Sequence, residues 1–217
     1  MKIGMIGAGF VSQGVAQLAI GKGHTVMLSN SRGPETLFSA AKALGCTAGT
    51  AEEAAVFGDV VLVAVPLKAI DALPAAALSG RIVIDANNYY PERDGRIAAL
   101  DARETTTSEM LAKQLPGARI VKAFNAIRAV DLARDARPKG AADRRALPVA
   151  SDDAEAKQTV MALIDELGFD PVDAGSLADS WRFERDKPAY GVPLGREKLT
   201  AALAAAERDV EDASWRD

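Results

Sequence analysis

The stretch KIGMIGAGFVSQGVAQLAIG, residues 2–21, decides the fold that the sequence predicts. It begins with a short apolar run, passes through a glycine turn at residues 7–9, and then carries apolar residues at helical spacing from Phe10 to Gly21. We therefore expect a strand, a tight turn and a helix in that order. The turn has the first two glycines of a G-x-G-x-x-G pattern, with Ser12 in the place of the third.

Short apolar runs alternate with helical patterns along the rest of the chain. Strands are predicted at residues 25–28, 46–48, 60–65, 81–85, 119–124, 147–150 and 170–173. Helices are predicted at residues 34–44, 67–78, 108–115, 153–167 and, in an Ala-rich tail, 197–212, with a short helix opened by Thr50 and Glu53. Residues 87–107 are predicted to form a long polar loop, and 126–142 a helix followed by a loop.

This alternation predicts the α/β class, a Rossmann-type doubly wound, mostly parallel sheet with a helical C-terminal extension. We assign residues 1–175 to the sheet domain and 176–217 to the extension. Whether the extension is part of the same domain is left open.

Composition excludes several classes of protein. The chain has 217 residues, of which 48% are hydrophobic and 26% charged, and its net charge is −4, so a broad basic face for nucleic acid or anionic lipid is not expected. One histidine, His24, and one cysteine, Cys46, exclude an intrachain disulfide and a zinc site built from Cys and His of one chain. No apolar run approaches the roughly 18 residues of a membrane span. We predict a cytoplasmic protein that binds no metal, nucleic acid or membrane.

The glycine turn predicts a dinucleotide site. In a doubly wound sheet the first glycine permits the tight turn, the second lets a pyrophosphate approach the backbone, and the amides at the helix start face its charge. The cofactor-binding residues predicted from this turn are Gly7, Ala8, Gly9, Phe10 and Val11. The alternative is a glycine turn that serves packing alone.

The residues after the second strand predict which dinucleotide binds. An NAD-specific site places a carboxylate about 20 residues after the turn, whereas here Asn30, Ser31 and Arg32 follow the strand and no carboxylate occurs before Glu35. Ser31 and Arg32 can donate charge-assisted hydrogen bonds to a 2′-phosphate. We therefore predict NADP(H) rather than NAD(H), the alternative being that Arg32 is a solvated loop charge.

Further site residues are predicted at the other strand ends, because ligands of such sheets lie beyond the carboxyl ends of the strands. Cofactor contacts are predicted at Ala64, Val65, Pro66, Ala86 and Asn87. Asn88 and Asn125 are predicted to bind a substrate, since neutral amides orient a carboxamide or a ring without adding charge, although each is also a common turn residue. Tyr89 and Tyr90 either line the same mouth or pack against the loop.

Three single residues are of types that often have a chemical role. Lys122 lies two residues before a strand end, which favours a sheet-face or edge charge over a catalytic ammonium. His24 opens the second strand, at the end of the sheet opposite the ligand crevice, and is out of reach of it. Cys46 begins a strand and is predicted to be a small buried residue. No catalytic residue is predicted.

Several segments together resemble the coenzyme F420-dependent NADP oxidoreductase family. The resemblance extends from Met1 to about Glu184, includes related domains of STEAP-type metalloreductases, and is carried by the segments at residues 7–9, 29–32, 121–127, 151–157 and 173–177. It implies that NADPH exchanges hydride with a deazaflavin lying against the C-terminal part, and that Ser31 and Arg32 hold the 2′-phosphate. It also implies that residues 123–127, with Phe124 and Ile127, border the nicotinamide and the second substrate.

Three functions remain open on the sequence. The first is an NADPH-dependent oxidoreductase that moves hydride between NADP(H) and F420, a flavin or another small redox carrier; this reaction needs no protein acid or base. The second is a reductase of a small carbonyl or imine substrate, which would need Lys122 or a tyrosine as a proton donor. The third is a non-enzymatic NADPH-binding sensor. The resemblance favours a homodimer, and the Ala-rich tail, with Trp215 near its end, is the segment predicted to pack on a second subunit.

Overall fold

A computed structural model describes residues 1–212 of the chain. Six strands form one sheet in the order β3-β2-β1-β4-β5-β6, and every neighbouring pair is parallel. These strands are β1 (Lys2–Ile6), β2 (Thr25–Ser29), β3 (Thr47–Ala48), β4 (Val60–Val63), β5 (Ile82–Asp85) and β6 (Arg119–Lys122). The predicted Rossmann-type architecture is confirmed.

Helices cover both faces of the sheet, as continuous β-branched strands require. The helices are α1 (Phe10–Gly21), α2 (Phe38–Leu44), α3 (Ala51–Phe57), α4 (Ala75–Leu78), α5 (Pro91–Asp94), α6 (Ala98–Asp101), α7 (Thr107–Gln114), α8 (Ala129–Asp135), α9 (Ala154–Glu166) and α10 (Arg196–Ala205). Along β4, Val60 and Leu62 pack into one apolar core with α1, α8 and α9, whereas Val61 and Val63 pack into a second core with α3, α4 and α7.

The last two strands form a separate small sheet. Strands β7 (Ala146–Val149) and β8 (Asp170–Asp173) pair in parallel with each other. They join the main sheet through one antiparallel bridge, in which the amide of Lys122 donates to the Ala150 carbonyl at 2.8 Å and the Ala150 amide returns a bond at 3.1 Å. Helix α10 packs on these two strands with its buried Leu199 and Leu203.

The prediction of one continuous helix over residues 67–78 was wrong. A 3-10 helix spans Leu67–Ala72, and α4 begins only at Ala75. Pro74 separates the two, because proline has no amide hydrogen and clashes with a preceding helical turn. The predicted loop at 87–107 contains the short helices α5 and α6, and the predicted tail helix ends at Ala205. Trp215 lies outside the described residues.

Candidate functional site

A cleft of about 400 Å³ lies at the carboxyl ends of β1, β2 and β4. It brings together nine of the thirteen predicted cofactor residues, so segments far apart in sequence meet at one place. Those nine are Gly7, Ala8, Gly9, Asn30, Ser31, Arg32, Ala64, Val65 and Pro66. Sequence reasoning missed five small or apolar lining residues that no motif marks: Ile6, Ala51, Ala69, Ala72 and Leu73.

The glycine turn differs at its two glycines. Gly7 has a φ of +95°, and a Cβ there would lie 2.2 Å from the carbonyl oxygen of Ala64. Gly9 has an ordinary φ of −74°, and a Cβ there would have no protein atom within 4 Å. Gly7 therefore lets the turn pack against the end of β4, whereas Gly9 leaves open space at the start of α1.

The N-terminus of α1 faces this open space without a capping side chain. Gly9 is the N-cap residue, and no side chain accepts a hydrogen bond from the first amides. The first turn also contains no acidic residue. Free amides and the positive end of the helix dipole suit an anionic group such as a pyrophosphate.

The loop after β2 presents Ser31 and Arg32 to solvent at the other side of the cleft. The side chain of Asn30 fixes this loop: its Oδ1 accepts from the amide of Arg32 at 2.9 Å, and its Nδ2 donates to Thr36 Oγ1 at 2.9 Å. Asn30 therefore has a structural role in the turn, and Ser31 and Arg32 remain able to bind a phosphate. Glu35 folds back beside Gly33 in the same loop.

The other four predicted cofactor residues do not line the cleft. Phe10 is exposed at the start of α1, and Val11 packs partly against the core. Ala86 and Asn87 are buried behind the cleft wall. The Oδ1 of Asn87 accepts a hydrogen bond of 2.8 Å from the amide of Val65, so Asn87 contacts the wall from within the protein.

The predicted substrate residues divide into two pairs. Asn88 and Asn125 join the ends of β5 and β6, since Asn88 Nδ2 donates to the Asn125 carbonyl at 3.0 Å and Asn125 Nδ2 donates to Asn88 Oδ1 at 3.2 Å. Phe124 and Ile127 are 1% and 4% exposed and pack in the core. None of the four lines the 400 Å³ cleft, and their contact with a substrate stays a prediction.

Lys122 was predicted to be a sheet-face or edge charge, and it lies on β6, the strand at one edge of the main sheet. Its side chain is fully buried, and its ammonium donates to Asp85 Oδ2, the Asn87 carbonyl and Thr107 Oγ1 at 3.2, 2.6 and 2.8 Å. All three ammonium hydrogens therefore have protein acceptors. The sheet register causes the burial, because it sets Lys122 directly opposite Asp85 on β5.

His24 and Cys46 lie away from the cleft. His24 precedes β2 at the amino ends of the strands, where its Nδ1 is 3.0 Å from the N-terminal amine of Met1. Cys46 is half-buried, and burial raises the pKa of its thiol. The position predicted for His24 is confirmed.

A second cavity of about 410 Å³ lies between the loop after β5 and the C-terminal region. Its walls carry charges of both signs, many of them paired, for example Arg96 with Asp101 at 2.8 Å and Arg185 with Glu92 at 3.0 Å. The Lys187 ammonium donates to the carbonyls of residues 207, 208 and 210, and burial lowers its pKa. These contacts hold the chain after α10 against the cavity.

Two tyrosines connect the loop after β5 with the C-terminal region. The hydroxyl oxygens of Tyr90 and Tyr190 are 2.6 Å apart. Burial, followed by the hydrogen bond to Tyr90, raises the pKa of Tyr190 far above its usual range. The Tyr190 hydroxyl therefore keeps its proton at neutral pH.

Residues 1–212 contain neither a candidate metal site nor a candidate membrane-spanning helix. No group of three or more His, Cys, Asp or Glu side chains there is placed to hold a metal ion. None of the helices in this part of the chain has the length and apolarity needed to cross a membrane.

Comparison with known proteins gives one family match. Residues 2–89 match the family model described as NADP oxidoreductase, coenzyme F420-dependent. The metalloreductase STEAP3 of Rattus norvegicus is 31% identical over 198 residues, which cover 88% of this chain and 38% of that protein. The chain spans about a quarter to two fifths of the length of the curated relatives it matches.

Solved structures extend the similarity to most of the chain. The hypothetical protein SMa0349 from Sinorhizobium meliloti is 31% identical with a TM-score of 0.77, over 89% of this chain and 94% of that one. An imine reductase from Myxococcus stipitatus in complex with NADP+ is 17% identical with a TM-score of 0.60, over 82% of this chain and 56% of that one. At that identity the second match shows a shared fold alone.

Proposed function

We propose that this chain, which belongs to the coenzyme F420-dependent NADP oxidoreductase family, transfers hydride between NADP(H) and a deazaflavin or flavin-like carrier. The family makes it an oxidoreductase with an NADP-binding Rossmann fold. The identity of the carrier, the specificity for NADP(H) and the residues that bind each are the proposed part.

The observation that carries the proposal is the cleft formed by the glycine turn and the Ser31–Arg32 loop. The open space over Gly9 fits a pyrophosphate against the first amides of α1. On the far side of the cleft, Ser31 and Arg32 fit a 2′-phosphate, since Arg32 supplies a guanidinium cation. These residues suit NADP(H) better than NAD(H).

The chain's own residues bind and orient the two rings. When bound, the dinucleotide supplies the hydride, and the protein contributes distance and alignment. Ala64, Val65 and Pro66 line the cleft with an apolar surface, and they would orient the nicotinamide end of the bound dinucleotide. A proton needed by the carrier can come from solvent, so this reaction requires no acid side chain in the cleft.

A second candidate function is reduction of a small carbonyl or imine, which requires a proton donor at the substrate. Lys122 is unsuited to that role, because each of its ammonium hydrogens is bonded within the protein. The observation that favours this candidate is the hydroxyl pair of Tyr90 and Tyr190, which lie 2.6 Å apart. Burial raises the pKa of Tyr190 and makes it the weaker acid, so the partly buried Tyr90 would have to donate the proton.

The two candidates are separated by acceptor specificity. NADPH oxidation is followed by absorbance with F420, with flavins and with a panel of cyclic imines and ketones. We expect turnover with F420 or a flavin, and turnover that survives Tyr90→Phe. Turnover with imines or ketones alone, lost in Tyr90→Phe, would replace the first candidate by the second. NADPH binding without any turnover would leave a cofactor-binding sensor.

Cofactor selectivity is tested with Arg32→Ala, with Arg32→Lys as the control that retains the charge. A hydrogen bond to a charged group contributes about 1.5–3 kcal/mol, and solvent screening at this exposed site favours the lower end. We expect about a tenfold loss of NADPH affinity in Arg32→Ala and no change for NADH. Equal affinity of the wild-type protein for NADPH and NADH would refute the assignment of this loop.

A further inference from the structure

Four polar groups form a continuous chain of contacts from the edge of the sheet to the cleft. It begins at the buried ion pair of Lys122 on β6 and Asp85 on β5, whose side chains are both fully enclosed and 3.2 Å apart. Asn87, which follows β5, is the next member, and Val65, which follows β4, is the last. The chain of contacts therefore crosses three neighbouring strands.

The ion pair fixes the backbone of Asn87 on both sides. The Lys122 ammonium donates to the Asn87 carbonyl at 2.6 Å, and Asp85 Oδ1 accepts from the Asn87 amide at 2.9 Å. Ser108 donates to the other oxygen of Asp85 at 2.6 Å, which holds that carboxylate in place. Asn87 has little freedom to move while these bonds are made.

The side chain of Asn87 connects this fixed backbone to the cleft wall by a hydrogen bond. Its Oδ1 accepts from the Val65 amide at 2.8 Å, just past the point where the ladder between β4 and β5 ends. Because an amide hydrogen can bond only to the oxygen, the orientation of the Asn87 side chain follows from this contact. Val65 is thus held by Asn87 and not by a strand partner.

The segment that holds Val65 is also the surface on which the glycine turn rests. A Cβ on Gly7 would be 2.2 Å from the Ala64 carbonyl oxygen and 3.1 Å from Cγ1 of Val65. At such close packing a shift of the Val65 segment requires the turn to shift with it. The start of α1, where the pyrophosphate is proposed to bind, follows the turn directly.

We propose that Lys122 and Asp85 are positioning residues of the dinucleotide site, which act through Asn87 to fix the Val65 segment and the glycine turn. This inference rests on the proposed function, because it assumes that NADPH binds at the turn. Neither charged group lines the cleft. They act in the way of the outer hydrogen bonds that orient the ligands of metal sites, whose removal weakens metal binding by about 10- to 100-fold.

The test measures NADPH affinity by fluorescence titration for Asn87→Leu, Lys122→Met and the double variant, at a temperature where thermal unfolding shows each to be folded. The matched control is Arg145→Met, because Arg145 is nearly as buried as Lys122, pairs with Asp131 and Asp135 of α8 at 3.3 and 2.8 Å, and does not line the cleft. We expect about a tenfold loss of affinity in each single variant. The double variant should lose about as much as one single variant, since the residues act in series.

Each result has a defined meaning. If the wild-type protein does not bind NADPH, the proposed function and this inference both fail. If it binds NADPH and Asn87→Leu binds equally well, the inference alone fails. It also fails if Arg145→Met weakens binding as much as Lys122→Met, or if the double variant shows the full product of the single losses. Should Lys122→Met not fold, Asn87→Leu and Asn87→Ala compared with the control decide the question.

Discussion

The two glycines of the turn should respond in opposite ways to the same substitution. Gly7→Ala places a methyl group against protein, whereas Gly9→Ala places it in the cleft. If the cleft binds a dinucleotide, Gly7→Ala should lower the stability of the fold and Gly9→Ala should lower the affinity for NADPH. Each variant serves as the control for the other.

The magnitude for Gly7→Ala follows from backbone conformation and contact distance. A φ of +95° is unfavourable for a residue with a Cβ, at about 1–2 kcal/mol. The new methyl group would also lie 2.2 Å from a backbone oxygen, and forced repacking of this kind costs about 1–3 kcal/mol. We expect a loss of about 2–5 kcal/mol, a large part of the stability of an ordinary domain.

The magnitude for Gly9→Ala has a different origin. The φ of −74° suits alanine, and the reduced freedom of the unfolded chain stabilises by about 0.4–1 kcal/mol. Alanine is a poorer N-cap residue than glycine, and this destabilises the helix by a similar amount. The two effects offset each other, so the free energy of unfolding should stay close to that of the wild-type protein. The alanine methyl group would displace the pyrophosphate from one amide, and the lost hydrogen bond would lower the binding free energy by about 1.5–3 kcal/mol. This corresponds to a loss of roughly 10- to 100-fold in affinity for NADPH.

The assay combines urea unfolding with NADPH titration on the same preparations. Unchanged NADPH affinity in Gly9→Ala would refute the placement of the pyrophosphate over Gly9. Wild-type stability in Gly7→Ala would refute the packing argument for the turn and the end of β4. Loss of stability in both variants would show that the space at Gly9 is required for folding.

Two further predictions concern single ionisable groups. Asp153 caps α9, and the hydrogen bonds that it accepts from Arg119 and from the Ala156 amide lower its pKa. The ionised carboxylate therefore stabilises the fold above the unfolded pKa of about 3.9, and this contribution is lost progressively as the pH falls from there through the lower folded pKa. Asp153→Asn keeps the cap but not the ion pair, so its thermal midpoint should fall less between about pH 5 and pH 2 than that of the wild-type protein. Burial raises the pKa of Cys46, so alkylation by iodoacetamide should be slower in the folded chain than in urea at the same pH, and equal rates would contradict this.

The main sheet and its glycine turn were predictable because their signals are local. The apolar run of β4 and the strand, turn and helix at residues 2–21 each lie within one short window. The break between the 3-10 helix and α4 was also readable, since Pro74 stands in the middle of the segment that was predicted as one helix. In that case the signal was in the sequence and the interpretation overlooked it.

The role of Lys122 was not predictable from its neighbours. Asp85 is 37 residues away in the sequence, and only the pairing register of β5 and β6 sets the two side chains opposite each other. Without that register, the sequence favours a sheet-face or edge charge and does not indicate that the side chain is buried. The separate sheet of β7 and β8 is a similar case, because a strand pattern does not state which sheet the strand joins.

The site prediction was better for backbone features than for side chains. Glycines, and the absence of a carboxylate after β2, identify residues that line the cleft. Asn87 was predicted to contact the cofactor, and that contact stays a prediction. In the structure its Oδ1 accepts a hydrogen bond from the Val65 amide behind the cleft wall. An asparagine at a strand end looks the same in sequence whether it faces a ligand or supports the segment that does.

The charges at the cleft favour carrier reduction over chemistry that needs an acid. Among the described residues that line it, Arg32 is the one ionisable side chain, and a guanidinium does not release a proton in proteins. His24 is at the opposite end of the strands, and the hydrogens of Lys122 are bonded internally. A protein proton donor for a carbonyl would have to be a tyrosine such as Tyr90, which does not line the cleft, whereas transfer between two rings depends on their distance and alignment. The scarcity of acid and base groups among the described lining residues is compatible with the proposed transfer between two rings and supports it over the alternative.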